Sequence, residues 1–201
     1  VPTTIDKPIS DVLTYSLNSI VDLYGCNMAY TEHLVNLSVQ LFKQLRVLHK
    51  FPRQYLRILK VAAYMYNTGK RVDFYNFEKH SGYIILNSNI YGISHRDLVM
   101  ASFVASNTAI EDINPFDWAK YRDLVNDEDI EAVKKMGVML RIAYNLNRSL
   151  TSIVTGINCD ILGDSVIMKT EVEGDATLEI NSALTISGDF RKIFKKNLEI
   201  L

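Results

Sequence analysis

Residues 33–48 of the chain are HLVNLSVQLFKQLRVL. Leucines recur in this stretch at steps of three and four residues, at Leu34, Leu37, Leu41, Leu45 and Leu48. Side chains with this spacing lie on one face of an α-helix, so the stretch predicts an amphipathic helix whose leucine face is buried. The same period recurs from Ser10 to Ser149, which indicates that most of the chain is a helical bundle.

Further helices are expected on the C-terminal side of this stretch. A second apolar stripe ends at the helix-capping sequence of residues 67–69 and comprises Leu56, Leu59, Ala63 and Tyr66. Another helix is expected over residues 78–86. Ser94, three residues before an aspartate, resembles a capping box. Asn126 is expected to start a last long helix that reaches residue 147, since acidic residues fill its first turn.

The period changes after Ser149. Residues 166–172 alternate between apolar and polar side chains, as a half-buried strand does, and residues 152–158 are short and β-branched. Leu162, Gly163 and Asp164 are turn residues between them. The remaining elements are expected to be a strand at residues 177–180, a helix at residues 189–196 and a strand at residues 198–201. The chain is therefore expected to be mainly α, with a tether at residues 1–10, a helical domain at residues 11–150 and a small α+β subdomain at residues 151–201.

Composition and charge exclude several classes of protein. Hydrophobic residues make up 48% of the chain and charged residues 22%, which is ordinary for a globular protein, and the formal net charge is −1. This near-neutral charge gives no global indication of a nucleic-acid or membrane-surface protein, although it is compatible with a local basic patch. No stretch reaches the ~18 apolar residues of a membrane span, and no signal peptide is visible. Because the chain starts with Val1, it is expected to be processed or to be part of a longer protein.

The cysteines and the usual catalytic motifs indicate no active site. Cys26 and Cys159 lie in no zinc-binding pattern and are expected to be free thiols in a reducing cytosol. No nucleophile elbow, glycine-rich phosphate loop or paired-histidine zinc motif is present. From the residues alone, no catalytic residue is assigned.

Three segments carry a resemblance to a known family. Residues 62–69, AAYMYNTG, are similar to the AALLHDIG stretch of HD-domain proteins. Residues 77–94, FEKHSGYIILNSNIYGIS, resemble HKHSAYLIxNSDLPGFS, and residues 140–149, LRIAYNLNRS, resemble LLRLADALDRS. The last two stretches are typical of the C-terminal, HD-type region of the exopolyphosphatase/guanosine pentaphosphate phosphatase (Ppx/GppA) family, so the helical domain resembles an HD-like bundle.

The resemblance also implies that the metal site of an HD phosphohydrolase has been lost. Such an enzyme binds a divalent cation through a histidine, a His-Asp pair and a distal aspartate. His33 matches the first histidine, Tyr66 and Asn67 replace the pair, and Asn147 replaces the distal aspartate; Asn107 stands where the family often has another histidine. Tyrosine and neutral asparagine are poor substitutes for these ligands, so no bound metal is expected and the domain is a degenerate HD domain. His33 is then expected to be a polar residue at a helix start or a packed, hydrogen-bonded histidine.

Candidate ligand-binding residues lie in the family-like segments. Lys79, His80 and Ser81 offer a cation and donors at a helix start, which suits phosphate oxygens, although a solvated helix end explains them equally well. Arg148 is a weaker candidate, because a cation at a helix C-terminus also complements the helix dipole. Other basic groups are expected to be solvated faces that a polyanion could use together: Lys70-Arg71, Arg53-Arg57-Lys60 and Arg191-Lys192-Lys195-Lys196. His49 and His95 are expected at the surface.

The expected function follows from the resemblance. It implies a bacterial, cytoplasmic protein in which hydrolysis, with Mg²⁺, belongs to N-terminal ATPase-type domains that this sequence does not include. The chain is then an inactive accessory domain with no cofactor of its own, which binds polyphosphate or guanosine tetra- or pentaphosphate and forms a homodimer, without a membrane or nucleic-acid partner. Two alternatives stay open: an autonomous metal-dependent HD phosphohydrolase, and a purely structural dimerisation module.

Overall fold

A computed structural model describes residues 12–109 and 115–201, so the expected tether at residues 1–10 lies outside the described residues. The first part of the chain is helical: α1 (Val12–Leu23), α2 (Met28–Gln44), α3 (Arg46–His49), α4 (Tyr55–Met65), a 3-10 helix (Thr68–Arg71), α5 (Phe77–Asn87), α6 (His95–Ser106), α7 (Pro115–Ala119) and α8 (Asp127–Leu146). The second part mixes strands and helices: β1 (Val154–Leu162), β2 (Ser165–Val172), α9 (Thr177–Leu184), α10 (Ser187–Phe194) and β3 (Asn197–Ile200). The prediction of a mainly α fold followed by a small α+β part is confirmed.

The leucine stripe of residues 33–48 is buried as predicted, but it spans two helices. Leu34, Leu37, Leu41 and Leu45 are all fully buried in the core. Helix α2 ends at Gln44, and α3 begins after Leu45, whose backbone leaves the helical region. The leucine period continues through this break because the short α3 keeps the same buried face.

Two of the predicted helix starts are confirmed by their caps. The Ser94 hydroxyl accepts a hydrogen bond from the backbone N–H of Asp97 at 3.1 Å. At α8, Asn126 Oδ1 accepts from the N–H of Asp129 and Asp129 Oδ2 accepts from the N–H of Asn126, both at 3.0 Å. This reciprocal pair satisfies two backbone donors that the first turn of a helix leaves free.

The end of α4 differs from the predicted cap at residues 67–69. The α-helix ends at Met65, and the chain continues as a 3-10 helix. Gly69 is required there because a Cβ atom at this position would lie 2.0 Å from the carbonyl oxygen of Phe77. The glycine therefore allows α5 to approach the end of α4, and does not act as a left-handed cap.

The C-terminal sheet has the strand order β1-β2-β3, with β1 and β2 antiparallel and β2 and β3 parallel. The turn between β1 and β2 contains Gly163, whose φ is 51°. The strand predicted at residues 198–201 is confirmed as β3. The predicted strand at residues 177–180 is wrong, because these residues begin α9. The Asp175 carboxylate accepts from the Thr177 N–H at 3.0 Å, and Ala176, Ile180 and Ala183 turn inward at helical spacing. A parallel β2–β3 pair also requires a long crossover, which α9 and α10 provide.

Helix α2 covers the outer edge of the sheet. Gln40 Oε1 accepts a hydrogen bond from the N–H of Ile157 at 2.8 Å, and Gln44 Oε1 accepts from the N–H of Cys159 at 3.3 Å. These side chains occupy backbone donors of β1 that an edge strand would otherwise leave open to pairing. The buried face of the sheet belongs to the same hydrophobic core as the bundle. The boundary at residues 150 and 151 therefore stays a prediction.

Both cysteines are free thiols, and burial raises the pKa of Cys159 to about 12. Within residues 12–109 and 115–201, no helix has both the length and the apolar character needed to cross a membrane.

Candidate functional site

The positions that correspond to the HD motif lie where the start of α2 meets the ends of α4 and α8. The rings of Tyr66, just after α4, and Tyr144, in the last turn of α8, pack edge-to-face with centroids 5.1 Å apart. Asn147, the C-cap of α8, donates from Nδ2 to the carbonyl oxygen of Tyr30 in α2 at 3.2 Å. Two of the three segments that carry the resemblance, residues 62–69 and 140–149, therefore meet next to the first turns of α2.

Buried amide groups are the main feature of this region. Asn67 is 6% exposed and Asn147 is 1% exposed. Neither polar atom of the Asn67 side chain, nor Oδ1 of Asn147, has a hydrogen-bond partner among the described residues. Asn107 is also buried, has no hydrogen-bond partner for its side-chain amide in the described part of the chain, and lies against Gly137 of α8. Such unpaired polar groups are costly to bury, so these amides are unusual for a protein core.

His33 lies inside α2, five residues after the start of the helix, so the helix-start interpretation is wrong. The side chain is half-buried, and burial lowers its pKa, while a hydrogen bond with the backbone of Val154 partly opposes this shift. Its Nε2 atom has no partner among the described residues. These observations support the interpretation of His33 as a packed histidine beside β1.

The donor set at these positions does not fit a hard divalent cation. Burial raises the pKa of Tyr66 far above its ordinary value, so its hydroxyl stays protonated. Asn67 and Asn147 supply neutral carbonyl oxygens where a carboxylate would supply charge. No three His, Cys, Asp or Glu side chains come together anywhere in the described part of the chain.

Lys70 lies close to the same region, and its environment was missed by the sequence interpretation. Its Nζ atom lies 4.9 Å from the ring centroid of Phe77 and 5.0 Å from that of Tyr144, with Tyr30 and Phe74 each 5.8 Å away. Burial lowers its pKa, while the charges of Cys26 and Glu78 oppose this shift. Lys70 is thus a cation packed among aromatic rings.

The interpretation of Lys70-Arg71 as a solvated face is therefore wrong for Lys70, whereas Arg71 is exposed as predicted. Arg71 is also engaged, since Nε donates to the carbonyl oxygen of Tyr24 at 2.6 Å and a terminal nitrogen donates to that of Gly25 at 2.8 Å. Most of these contacts cannot be inferred from sequence spacing, because the rings of Tyr30 and Tyr144 and the carbonyl groups that Arg71 binds come from distant segments. The rings of Phe74 and Phe77, in contrast, follow Lys70 by four and seven residues.

The structure separates the predicted phosphate-binding residues of α5. Lys79 is exposed and lines an open cavity of about 480 Å³ together with Tyr83 and Lys120. His80 is half-buried and does not line this cavity. Ser81 is fully buried, and its hydroxyl donates to the carbonyl oxygens of Tyr66 at 2.6 Å and Phe77 at 2.9 Å.

The hydroxyl of Ser81 also accepts from the N–H of Gly69 at 3.0 Å. Its assignment as a phosphate donor is wrong, because the hydroxyl is committed to the protein and inaccessible. Lys79, His80 and Arg148 stay predictions. Arg148 is exposed and its charge lowers the pKa of Lys70, so it belongs to the region of Lys70.

Residues 12–187 match the family model described as Ppx/GppA phosphatase, domain III. The chain belongs to the Ppx/GppA phosphatase family. The match includes Tyr66, Asn67 and Asn147, which the resemblance assigns to an HD motif, and most of the C-terminal α+β part, so this domain III extends beyond the helical bundle. No curated protein sequence matches the chain significantly.

The predicted position of His49 in this Ppx/GppA domain is wrong. It was expected at the surface, but it is 3% exposed. Nε2 lies 2.7 Å from the carbonyl oxygen of Phe42, and Nδ1 accepts from the N–H of Phe51 at 2.9 Å. The ring also stacks on that of Phe51, with centroids 4.9 Å apart. His49 is therefore a core residue, whereas His95 is exposed as predicted.

Proposed function

We propose that the chain is a non-catalytic accessory domain of an exopolyphosphatase or guanosine pentaphosphate phosphohydrolase. In this proposal it helps to bind polyphosphate or guanosine tetra- or pentaphosphate and to join two copies of the enzyme. Hydrolysis, with Mg²⁺, takes place in the ATPase-type domains that the family resemblance implies. Membership of the Ppx/GppA phosphatase family supports a phosphate-rich ligand.

The observation that carries the non-catalytic assignment is the chemistry of the degenerate HD positions. A metal-activated water needs anionic or imidazole ligands that hold the cation. Tyr66 is buried with a raised pKa, and the amides of Asn67 and Asn147 are neutral. This donor set supports an accessory role over an autonomous metal-dependent phosphohydrolase.

Phosphate release from long-chain polyphosphate tests the assignment. The purified chain should release no phosphate with Mg²⁺ or Mn²⁺, whereas a full-length exopolyphosphatase measured in parallel should release it. Turnover by the chain alone at a rate near that of the full-length enzyme would contradict the proposal.

The dimer is tested separately by sedimentation equilibrium. We expect the chain to be a homodimer at micromolar concentration. A dimer that binds neither polyphosphate nor guanosine tetraphosphate would favour the purely structural module. A monomer at all concentrations would remove dimerisation from the proposed function.

A further inference from the structure

The charge of the chain is strongly uneven along the sequence. Residues 33–72 contain eight Lys and Arg residues and no Asp or Glu. The whole chain has 22 Lys and Arg against 23 Asp and Glu, so the rest holds 22 − 8 = 14 basic residues against 23 acidic ones. A nearly neutral protein therefore has one strongly basic segment, and the fold decides whether its charges gather on one surface.

Three of these cations line one cavity. Arg53 precedes α4 by two residues, and Arg57 and Lys60 follow at steps of four and three, so the three share one face of the helix. All three are exposed at the rim of a cavity of about 380 Å³ between α1, α2 and α4. The floor of this cavity is apolar and includes Leu13, Leu17, Val35 and Leu56.

A second cavity continues the first one. It has a volume of about 290 Å³ and shares Arg53 and Leu56 with its neighbour. Lys43 and Arg46, one helical turn apart at the end of α2 and the start of α3, supply its other cations. We call the continuous surface of Lys43, Arg46, Arg53, Arg57 and Lys60 the basic groove.

No acidic side chain in residues 12–109 or 115–201 compensates the positive charge of the basic groove. Among the described residues, no Asp or Glu lines either cavity. In that same part of the chain, Lys43, Arg46, Arg53 and Lys60 form no ion pair. Arg57 donates to the carbonyl oxygen of Gly92, which places its guanidinium at the rim and leaves its charge unneutralised.

Other cations of the chain behave differently. Arg141 pairs with Asp189 at 2.6 Å, and Lys169 pairs with Asp160 at 2.8 Å. Neighbouring like charges without a counter-charge repel one another, so a bound polyanion would relieve the repulsion in the basic groove. A row of cations along a groove complements a row of phosphates better than it complements one carboxylate.

We propose that the basic groove is the surface that binds a linear phosphate polyanion, with inorganic polyphosphate as its ligand. This proposal rests on the proposed function and places its ligand site between α1, α2 and α4, away from the cavity that Lys79 lines. Single-stranded nucleic acids are a poorer match, because they need exposed aromatic rings for base stacking. Of the lining rings, those of Phe42 and Phe51 already pack against His49, and that of Tyr64 is partly buried.

The test compares two variants that each lose three positive charges. The groove variant is Arg53→Gln/Arg57→Gln/Lys60→Gln. The matched control is Lys169→Gln/Arg191→Gln/Lys195→Gln on the C-terminal α+β part, where the three side chains are exposed. Circular dichroism establishes that both variants are folded. Isothermal titration with long-chain polyphosphate at two salt concentrations gives the affinity and its salt dependence.

We expect the groove variant to bind polyphosphate roughly tenfold more weakly or worse, because three exposed charge contacts are lost. Its log-log salt slope should fall by about three units, one for each lost phosphate contact. The control should keep the affinity and slope of the unmodified chain. A single-stranded DNA with the same number of phosphates should bind more weakly than polyphosphate.

Several results would overturn the assignment, and they separate it from the proposed function. If the unmodified chain binds polyphosphate but the groove variant binds equally well, the site is elsewhere while the accessory function stands. Loss of binding in the control variant or in Lys79→Gln, with the groove variant unaffected, leads to the same conclusion. Tighter binding of single-stranded DNA through the same residues contradicts the ligand class. If the unmodified chain binds no polyphosphate even at low salt, both the groove and the polyphosphate-binding role are wrong.

Discussion

The Ser81 hydroxyl donates a hydrogen bond to the carbonyl oxygen of Tyr66 at 2.6 Å. Tyr66 is the first residue after α4, and Ser81 lies in α5, so this bond joins the two helices inside the core. The Oγ atom of Ser81 also accepts from the N–H of Gly69 in the 3-10 helix at 3.0 Å. The serine of the most family-like segment thus fixes the end of α4 and the 3-10 helix against α5.

Ser81→Ala should destabilise the fold. The substitution leaves the N–H of Gly69 without its partner and removes the donor to Tyr66 in a buried site, which costs about 1–3 kcal/mol of unfolding free energy. Urea unfolding followed by circular dichroism measures this loss. Ser106→Ala is the control, because that serine is partly exposed and its 3.4 Å bond to Phe103 is long, so its effect should stay within about 0.5 kcal/mol. Equal stability of the two variants would contradict the role of Ser81.

Asp129→Ala should be more damaging. The carboxylate is 1% exposed and accepts from Tyr55 Oη at 3.1 Å, from Arg96 Nε at 3.2 Å and from the N–H of Asn126 at 3.0 Å. Removing it takes the buried counter-charge from Arg96, which among the described residues keeps only the partly exposed Asp97 as an ion-pair partner. It also leaves the N–H of Asn126 without its acceptor, so the free energy of unfolding should fall by about 3–5 kcal/mol.

The same denaturation measurement on Asp127→Ala is the control. Asp127 is exposed in the first turn of α8, so only its dipole interaction, about 0.3–1 kcal/mol, should be lost. A comparable loss in both variants would show that the buried network linking α4, α6 and α8 adds little.

Acid should weaken the fold through its buried histidines. Burial lowers the pKa of His49, with a backbone hydrogen bond to Phe42 opposing the shift and the charges of Lys135 and Arg46 adding to it. Burial likewise lowers the pKa of His33. The unfolded histidine takes up a proton near pH 6.5 while the folded one stays neutral. The free energy of unfolding therefore falls as pH decreases from about 6.5 towards the lower folded pKa values, where the loss is complete.

His49→Gln should remove part of this pH dependence. Urea unfolding at about pH 7.5 and about pH 5.5 gives the difference in stability for each protein, and that difference should be smaller in the variant. The substitution should also lower stability at both pH values, since the ring packs in the core. His95→Gln is the control because His95 is exposed, and it should leave the difference unchanged. If His49→Gln keeps the full difference in stability between the two pH values, the loss of stability in acid comes from His33 or other groups.

The chain should bind no stoichiometric Mn²⁺, Mg²⁺, Zn²⁺ or Fe. The reason is the donor set at Tyr66, Asn67 and Asn147, which has no carboxylate to neutralise a divalent charge. Elemental analysis of protein purified without chelator measures the metal content. One metal per chain that disappears in His33→Ala would contradict this prediction and restore the autonomous phosphohydrolase as a candidate.

The sequence by itself determined the helices and most of the strands. Apolar residues at steps of three and four can be buried together only on a helix, as the leucines from Leu34 to Leu45 show. Caps such as those at Ser94 and Asn126 are also local, since the side chain bonds to a backbone group three residues away. The resemblance, from about Tyr24 to Ser149, was enough to assign the family that the match to residues 12–187 confirms.

The tertiary structure alone decided which polar groups are buried and which charged side chains lie close together. Serine, histidine and lysine are residue types usually found at the surface, yet Ser81, His49 and Lys70 are wholly or partly buried. The groups that surround them come from other segments of the chain or from a turn that folds back on itself. The segment at residues 177–180 has a strand-like composition, but the crossover between β2 and β3 makes it a helix. The basic groove likewise required α2 and α4 to pack side by side. Burial and charge density depend on contacts across the fold, and local spacing contains no information about those contacts.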